Sequence, residues 1–241
     1  KYYYPVEFMA ALMTSVIDNP GKVAEYIYTC KEMGIKLLPP DINKGYGNFS
    51  VDGGDIRYGL AAIKSIGRSV IDDIIREREA GGEFKNLRDF AERMSGKDIN
   101  KRTVENFIKA GAFDCFTGTR KQHMMVYLKI LDQINQEKKY SMAGQMSLFD
   151  IVDEDQRKEF DIQFPEVGEY EKETMLAFEK EVLGVYVSGH PLEEYEDRWK
   201  KAITATTHDF QYDDETGHTK VRDGAKETIG GMITSRTIKY T

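Results

Sequence analysis

The fold of this chain is decided by a stretch that reads Gly59-Leu60-Ala61-Ala62-Ile63-Lys64-Ser65-Ile66-Gly67-Arg68-Ser69-Val70-Ile71-Asp72-Asp73-Ile74. Apolar residues recur at helical spacing on both sides of Gly67, which predicts two helices joined by a tight turn. Such a turn can direct backbone N–H groups and a helix N-terminus outward, where a phosphate oxygen is the natural ligand. The candidate phosphate contacts are Lys64, Ser65, Ile66, Gly67 and Arg68. Because glycine turns between helices are common, plain helical packing is the alternative interpretation.

A second stretch, residues 100–114, repeats this logic. A helix with apolar Val104, Phe107 and Ile108 leads into a small Ala-Gly turn. The candidate phosphate contacts of this turn are Lys109, Ala110, Gly111 and Ala112. Contacts to phosphate position a protein on DNA without reading its sequence. Two such hairpins can hold both strands of a duplex, which favours non-specific binding of double-stranded DNA over packing alone.

The flanking sequence predicts a mainly α protein. Two prolines at residues 39–40 forbid helix and set an extended segment. Glycines at 53–54 are typical of a β-hairpin turn between residues 49–51 and 56–60. A Thr-rich tail from about Ala202 predicts strands at 229–235 and 237–238, an incomplete β-domain. Helices are predicted at residues 5–13, 22–33, 86–94, 101–109, 119–137 and 169–183.

Charge is distributed unevenly along the chain. The formal net charge is −7, but residues 57–121 carry 14 Lys and Arg against 10 Asp and Glu. Residues 150–200 carry 16 acidic residues against 6 basic ones. Phosphate responds to the local field, so a basic module within an acidic chain remains compatible with DNA binding.

Composition favours a cytoplasmic protein with no membrane partner. No stretch approaches the roughly 20 apolar residues of a membrane-spanning helix. Cys30 and Cys115 are predicted to be reduced and buried thiols. The chain starts at residues 1–5 without an initiator methionine, which we interpret as a cut inside a longer protein.

A third pattern is the short peptide Gln145-Met146-Ser147-Leu148-Phe149, followed by an acidic stretch at 151–168 that predicts a linker. Leu148 and Phe149 can serve as buried anchors in an apolar pocket of a partner, with Gln145 as a polar contact. The alternative is that both apolar side chains fold back onto their own domain.

Catalytic patterns are weak. Ser188 and His190 stand two apart in a turn, which rarely gives the geometry of a catalytic dyad. His123, His208 and His218 lack metal-ligand spacing, and neither a phosphate-cradling loop nor a paired-carboxylate motif is present. We expect no catalytic residues, metal site or cofactor in this chain.

The sequence resembles the bacterial DNA polymerase III alpha subunits, the C-family replicative polymerases, almost continuously from Tyr4 to Leu192. Residues 4–12 and 33–43 resemble the fingers domain, 56–67 and 108–114 the tandem helix–hairpin–helix module, and 145–149 the internal motif that binds the β sliding clamp. Residues 179–192 resemble the segment that precedes an OB-fold. The resemblance implies the end of the fingers at 1–58, the hairpin module at 59–143, clamp motif, linker and connecting helix at 144–201, and an incomplete OB-fold at 202–241.

The family performs template-directed DNA synthesis with magnesium held by acidic residues of a palm domain. No segment here resembles that palm, so the resemblance implies a chain that binds duplex DNA and the clamp but is inactive alone. Other replicase subunits are then partners through the parent protein.

Two other function classes fit part of the sequence. One is a stand-alone adaptor module that binds DNA and the clamp. The other is a helix–hairpin–helix base-excision glycosylase, for which Lys64 and Asp114 are candidate catalytic residues by type. The abrupt start and the incomplete β-tail disfavour the adaptor, and the continuation into fingers-like sequence disfavours the glycosylase.

Overall fold

The computed structural model describes residues 2–142, 163–213, 217–233 and 236–239, which fall in two compact units, Lys1–Ser188 and Gly189–Thr241. The described helices of the first unit are α1 Pro5–Ser15, α2 Pro20–Glu32, α3 Arg68–Gly81, α4 Leu87–Arg93, α5 Lys101–Ala110, α6 Arg120–Met142 and α7 Lys172–Leu183. Its described strands are β1 Leu37–Leu38, β2 Ser50–Asp52 and β3 Asp55–Arg57. The second unit contains α8, Glu196–Ala202, and two short 3-10 turns. The prediction of a mainly α fold is confirmed.

Local signals explain where several helices begin and end. Asn19, Asn86 and Asn100 lie at the N-caps of α2, α4 and α5, and each side chain accepts a backbone N–H three residues further on. These bonds satisfy donors that the first helical turn leaves without an intrahelical partner. Gly111 and Gly184 follow α5 and α7 in the left-handed conformation, which glycine adopts without steric cost. The predicted positions of these helices are therefore confirmed to within a few residues.

A small sheet follows α2 and leads into the first hairpin. β2 and β3 pair antiparallel around the turn at residues 53–54, as the glycines predict, and Gly53 has φ +68°. β1 pairs parallel with β3 and completes the order β1-β3-β2. The sequence indicated only an extended segment at β1, because its partner strand is distant in the chain.

The core of the first unit is built around Phe90 of α4, which is fully buried. Its ring lies edge-on to Phe84, Phe107 and Phe113, with centroids 5.1, 6.2 and 5.0 Å away. Edge-to-face aromatic pairs of this kind add to the free energy gained from burial. The cluster joins α4 to α5 and to the turn after it, so the second predicted hairpin is built on the core.

Part of the predicted acidic linker at 151–168 is packed against the first unit. In its described portion, Phe164 lies 5.4 Å from the His123 ring, centroid to centroid. Gln122 Nε2 donates a 3.0 Å hydrogen bond to the Pro165 carbonyl. The acidic composition predicted a linker, but the Phe164 ring and the Pro165 carbonyl contact side chains at the start of α6. Residues 163–168 are thus corrected from linker to packed segment.

The predicted strands of the C-terminal tail do not form in its described residues, 229–233 and 236–239. In the described residues of the second unit, Asp213 and His218 form an isolated bridge, and the bonds from Thr204 N–H to the Thr228 carbonyl and from Val221 N–H to the Asp209 carbonyl are single contacts between segments. A strand requires a ladder of such bonds to a neighbour, and β propensity alone does not supply one.

The cysteines differ in exposure. Cys30 is buried and free, as expected, and burial raises its pKa to about 11. Cys115 is also free, but it is exposed, which corrects the prediction of a buried thiol. It lies in the turn between α5 and α6, where the neighbouring Phe113 and Phe116 take the buried positions.

We expect His123 to make the stability of the first unit depend on pH. Burial lowers the pKa of this imidazole below its ordinary 6.5, so the folded state favours the neutral form. The free energy of unfolding is therefore at its full value above pH 6.5. It decreases as the pH falls below that value, because the unfolded chain then binds the proton more readily than the folded chain does. Urea unfolding at about pH 7.5 and about pH 5.5 should show a smaller loss of unfolding free energy for His123→Gln than for the unsubstituted chain.

The matched control is His218→Gln, which removes an exposed histidine of the second unit. It should retain the pH dependence of the unsubstituted chain. An identical pH dependence in all three proteins would contradict the assignment to His123.

Candidate nucleic-acid interface

The first predicted hairpin, named hairpin 1, comprises residues 60–70. It begins with a single 3-10 turn, Leu60–Ala62, instead of the predicted α-helix. The N–H groups of Leu60 and Ala61 donate to the carbonyls of Tyr46 and Gly47 at 2.8 and 3.0 Å. In an α-helix the Lys64 N–H would donate to the Leu60 carbonyl, but it donates to the Val182 carbonyl at 2.8 Å, so the turn does not continue as an α-helix. The helix–turn–helix prediction is therefore corrected to 3-10 turn, loop and helix.

The N-terminus of α3 faces outward from hairpin 1. Gly67 is its N-cap and provides no side chain to accept the first N–H groups, and the first turn contains no acidic residue. Lys64, Ser65 and Arg68 are exposed around it, whereas Ile66 is half-buried against the core. An N-terminus without a side-chain cap combines orphan donors with the positive end of the helix dipole. This arrangement can bind an anion.

The loop of hairpin 1 is attached to two helices. Lys64 N–H donates to the Val182 carbonyl at 2.8 Å, and Lys64 Nζ donates to the Glu181 carbonyl at 2.7 Å. Asn106 Nδ2 of α5 donates to the Lys64 carbonyl at 2.7 Å. Ser65 follows with φ +65°, the one non-glycine residue with positive φ in the described part of the chain.

The second predicted hairpin, named hairpin 2, comprises residues 101–123. Ala110, Gly111 and Ala112 are buried in it. Gly111 and Ala112 direct their N–H groups back to the carbonyls of Ile108 and Phe107 at 3.0 and 2.9 Å. These donors close the end of α5, so the structure gives the three residues a packing role. Their assignment to DNA phosphate stays a prediction from the sequence pattern and the resemblance.

Lys109 is half-buried and held by two carboxylates. Its ammonium lies 2.9 Å from Glu105 and 2.9 Å from Glu181. Burial by itself would lower the pKa of Lys109, but the hydrogen bonds to these two carboxylates outweigh it and raise the pKa. Lys109 therefore remains charged, and its charge is largely neutralised within the protein.

The N-terminus of α6 is filled from within the protein. Thr119 and Gln122 form reciprocal side-chain-to-backbone bonds of 2.9 and 3.2 Å. The carboxylate of Glu169 accepts the N–H groups of Arg120 and Lys121 at 2.8 and 3.1 Å. A capping box and an acidic side chain thus occupy donors that remain open at α3.

A buried ionic network lies behind hairpin 2. The Arg120 guanidinium binds both oxygens of Asp114, at 2.9 and 2.6 Å, and reaches Glu179 at 3.4 Å. The other Glu179 oxygen accepts the N–H groups of Val187 and Ser188 at 2.9 and 3.0 Å. The sequence pattern missed the pairing of Arg120 with Glu179, because 59 residues separate them and no local spacing indicates that they meet. With Asp114 bound to Arg120 in this way, the glycosylase alternative gains no support.

His190, which the sequence analysis considered together with Ser188, makes a local turn contact: its Nδ1 accepts the Leu192 N–H at 3.1 Å. Within the described ranges, no group of three or more His, Cys, Asp and Glu side chains could hold a metal ion. None of the helices in those ranges is long and apolar enough to cross a bilayer. The peptide Gln145–Phe149 lies outside the described residues.

The sequence of this chain matches a helix-hairpin-helix family and bacterial DNA polymerase subunits. A family described as a helix-hairpin-helix motif matches residues 34–123, which include all of hairpins 1 and 2. The chain is 40% identical over 192 residues to the DNA polymerase III subunit alpha of Mycobacterium leprae, covering 80% of this chain and 16% of that protein. It is 40% identical over 196 residues to the Vibrio cholerae subunit, covering 81% and 17%. For the Campylobacter jejuni subunit the identity is 42% over 206 residues, covering 81% and 16%.

The chain thus spans about one sixth of the length of the curated relatives it matches. Relatives from distant bacteria carry the same name and match four fifths of this chain at similar identity. Over that shared length, the chain belongs to the DNA polymerase III alpha-subunit family and includes its helix-hairpin-helix motif.

Proposed function

We propose that this chain is the part of a DNA polymerase III alpha subunit that holds double-stranded DNA by its phosphates, within a cytoplasmic replicase. The observation that carries the proposal is the open N-terminus of α3 at Gly67, with exposed Lys64 and Arg68 beside it. The helix-hairpin-helix match and the relatives named as DNA polymerase subunits support it.

Hairpin 1 provides contacts that do not depend on sequence. The first N–H groups of α3 donate to phosphate oxygens, and the two cations add attraction. Contacts to phosphate carry no sequence information, so binding through them is non-specific and weakens steeply as salt rises. Binding of this kind suits a polymerase that moves along templates of any sequence.

Hairpin 2 contributes mainly as support in this proposal. Lys109 is neutralised by Glu105 and Glu181, and the N-terminus of α6 already binds Glu169. A phosphate at hairpin 2 would have to displace a carboxylate from those donors. Duplex contact through residues 109–112 therefore requires a rearrangement, whereas hairpin 1 requires none.

The polymerase reaction belongs to the parent protein in this proposal. Template-directed nucleotide transfer, with magnesium at palm carboxylates, is assigned to a region outside these 241 residues. The chain alone is then inactive in synthesis. Other replicase subunits are reached through the rest of the protein.

The double substitution Lys64→Gln/Arg68→Gln should weaken binding of a random-sequence duplex. Two lost phosphate contacts should reduce the slope of log affinity against log salt by up to about 2. Fluorescence anisotropy with a labelled duplex, measured from low to moderate salt, gives both quantities.

The control is Lys129→Gln/Lys139→Gln, which makes the same change of charge at two exposed lysines of α6. It should lower affinity far less, because those side chains lie outside both hairpin turns. Equal losses in the two double variants would mean that net charge, and not hairpin 1, determines binding.

We further propose that Gln145–Phe149 tethers the polymerase to the β sliding clamp. The support is the peptide itself, a glutamine followed by a Leu-Phe pair beside an acidic stretch. Tethering increases the effective concentration of the enzyme at the DNA, so a dissociated polymerase rebinds the same template first.

Titration of the chain with purified β clamp tests the tether. The double variant Leu148→Ala/Phe149→Ala should abolish binding, because it removes both apolar anchors. The matched control is Ile151→Ala/Val152→Ala, which truncates two apolar residues just beyond the peptide and should leave binding intact. Equal binding by the Leu148→Ala/Phe149→Ala variant and the unsubstituted chain would place the clamp contact elsewhere.

A further inference from the structure

Hairpin 1 contains a backbone conformation that its own sequence does not favour. Ser65 has φ +65°, a region that L-residues other than Asn and Asp rarely adopt. Unfavourable backbone conformations persist where surrounding contacts fix them, and they concentrate at functional sites. The contacts that fix Ser65 therefore determine whether the open N-terminus of α3 is presented.

Those contacts act on the preceding residue, Lys64. Its N–H, its carbonyl and its ammonium are each bonded, to Val182, Asn106 and Glu181, at 2.8, 2.7 and 2.7 Å. Two of the three partners are carbonyls in the last turn of α7. Terminal carbonyls of a helix have no intrahelical donor, so Lys64 satisfies groups that would otherwise lack a partner.

The last turn of α7 is itself held in place from two directions. Tyr58, which precedes hairpin 1 and is almost fully buried, donates its hydroxyl to the Leu183 carbonyl at 3.2 Å. On the side of hairpin 2, Glu179 binds Arg120 in the buried network. Val182 and Leu183 are buried in the same core as both hairpins. α7 therefore connects the two hairpins, although the helix-hairpin-helix match ends at residue 123.

We propose that the last turn of α7, residues 180–183, is a positioning element for the DNA-binding loop of hairpin 1. It acts through Lys64 and does not itself contact DNA. The functional hairpin module then extends from residue 34 to Leu183, and duplex affinity depends on a helix outside the motif. The functional part of this inference rests on the proposed function, whereas its structural part is testable without DNA.

The test uses the 241-residue chain with the substitution Tyr58→Phe. This replacement keeps the approximate side-chain volume and removes the hydroxyl donor to the Leu183 carbonyl, so the last turn of α7 loses one of the contacts that hold it. Amide hydrogen exchange without DNA should become faster in residues 63–70 and 180–185, with protection elsewhere retained. Affinity for a labelled duplex at low salt should fall by about three- to tenfold, the loss expected for about one net hydrogen bond.

The control is Tyr127→Phe, which also removes the hydroxyl of a buried tyrosine, one that reaches Glu105 at 3.4 Å. It should leave exchange in residues 63–70 and duplex affinity unchanged. Unchanged exchange at residues 63–70 in the Tyr58→Phe variant would overturn the proposal, whatever the affinity. Faster exchange there, with no DNA binding by the unsubstituted chain, would uphold the positioning and refute the proposed function. Faster exchange with full DNA affinity would overturn the functional role of α7.

Discussion

The pairing of Arg120 with Glu179 is the interaction on which the arrangement of the hairpins depends. Glu179 is completely buried and Arg120 almost so, and removing either charge from water is costly unless both are fully bonded. Asp114 occupies one side of the guanidinium, and the N–H groups of Val187 and Ser188 occupy the second Glu179 oxygen. Because each partner lies on a different segment, the network fixes the turn after α5, the start of α6 and the end of α7 relative to one another. A misplacement of any one segment would leave a buried charge without its partner.

Ion pairing within the chain also determines where an acidic protein presents positive charge. Within residues 57–121 the excess of positive charge is small, and most of those cations are engaged in ion pairs. Lys109 is such a cation, shared between two carboxylates. The Lys64 ammonium is bonded to the neutral backbone carbonyl of Glu181, and Arg68 is exposed at the start of α3. Hairpin 1 therefore keeps cations that are available to a phosphate, and the net charge of the chain says little about them.

Features set by neighbouring residues were predictable from the sequence, whereas features set by distant partners were not. Asn100 and Gly111 define both ends of α5 through local bonds, so that helix was predicted almost to the residue. The 3-10 turn at Leu60–Ala62 depends on carbonyls of an earlier loop, and no periodicity reveals it. Composition indicated a linker around Phe164, yet its ring packs against a histidine of α6. The open N-terminus at Gly67 was predictable in position but not in its lack of a side-chain cap, which requires knowing what surrounds it.

The two hairpins show why similar sequences need not have the same chemistry. Gly67 precedes a helix and exposes its N–H groups, whereas Gly111 follows a helix in the left-handed conformation and turns its N–H inward. The next helix after Gly111 is α6, and Thr119 and Glu169 already accept hydrogen bonds from the first N–H groups of that helix. A carboxylate at a helix N-terminus uses the same donors and the same dipole as a phosphate would. Hairpin 2 therefore contains the geometry of an anion site with its own acidic side chain in it, and hairpin 1 contains that geometry open to a ligand.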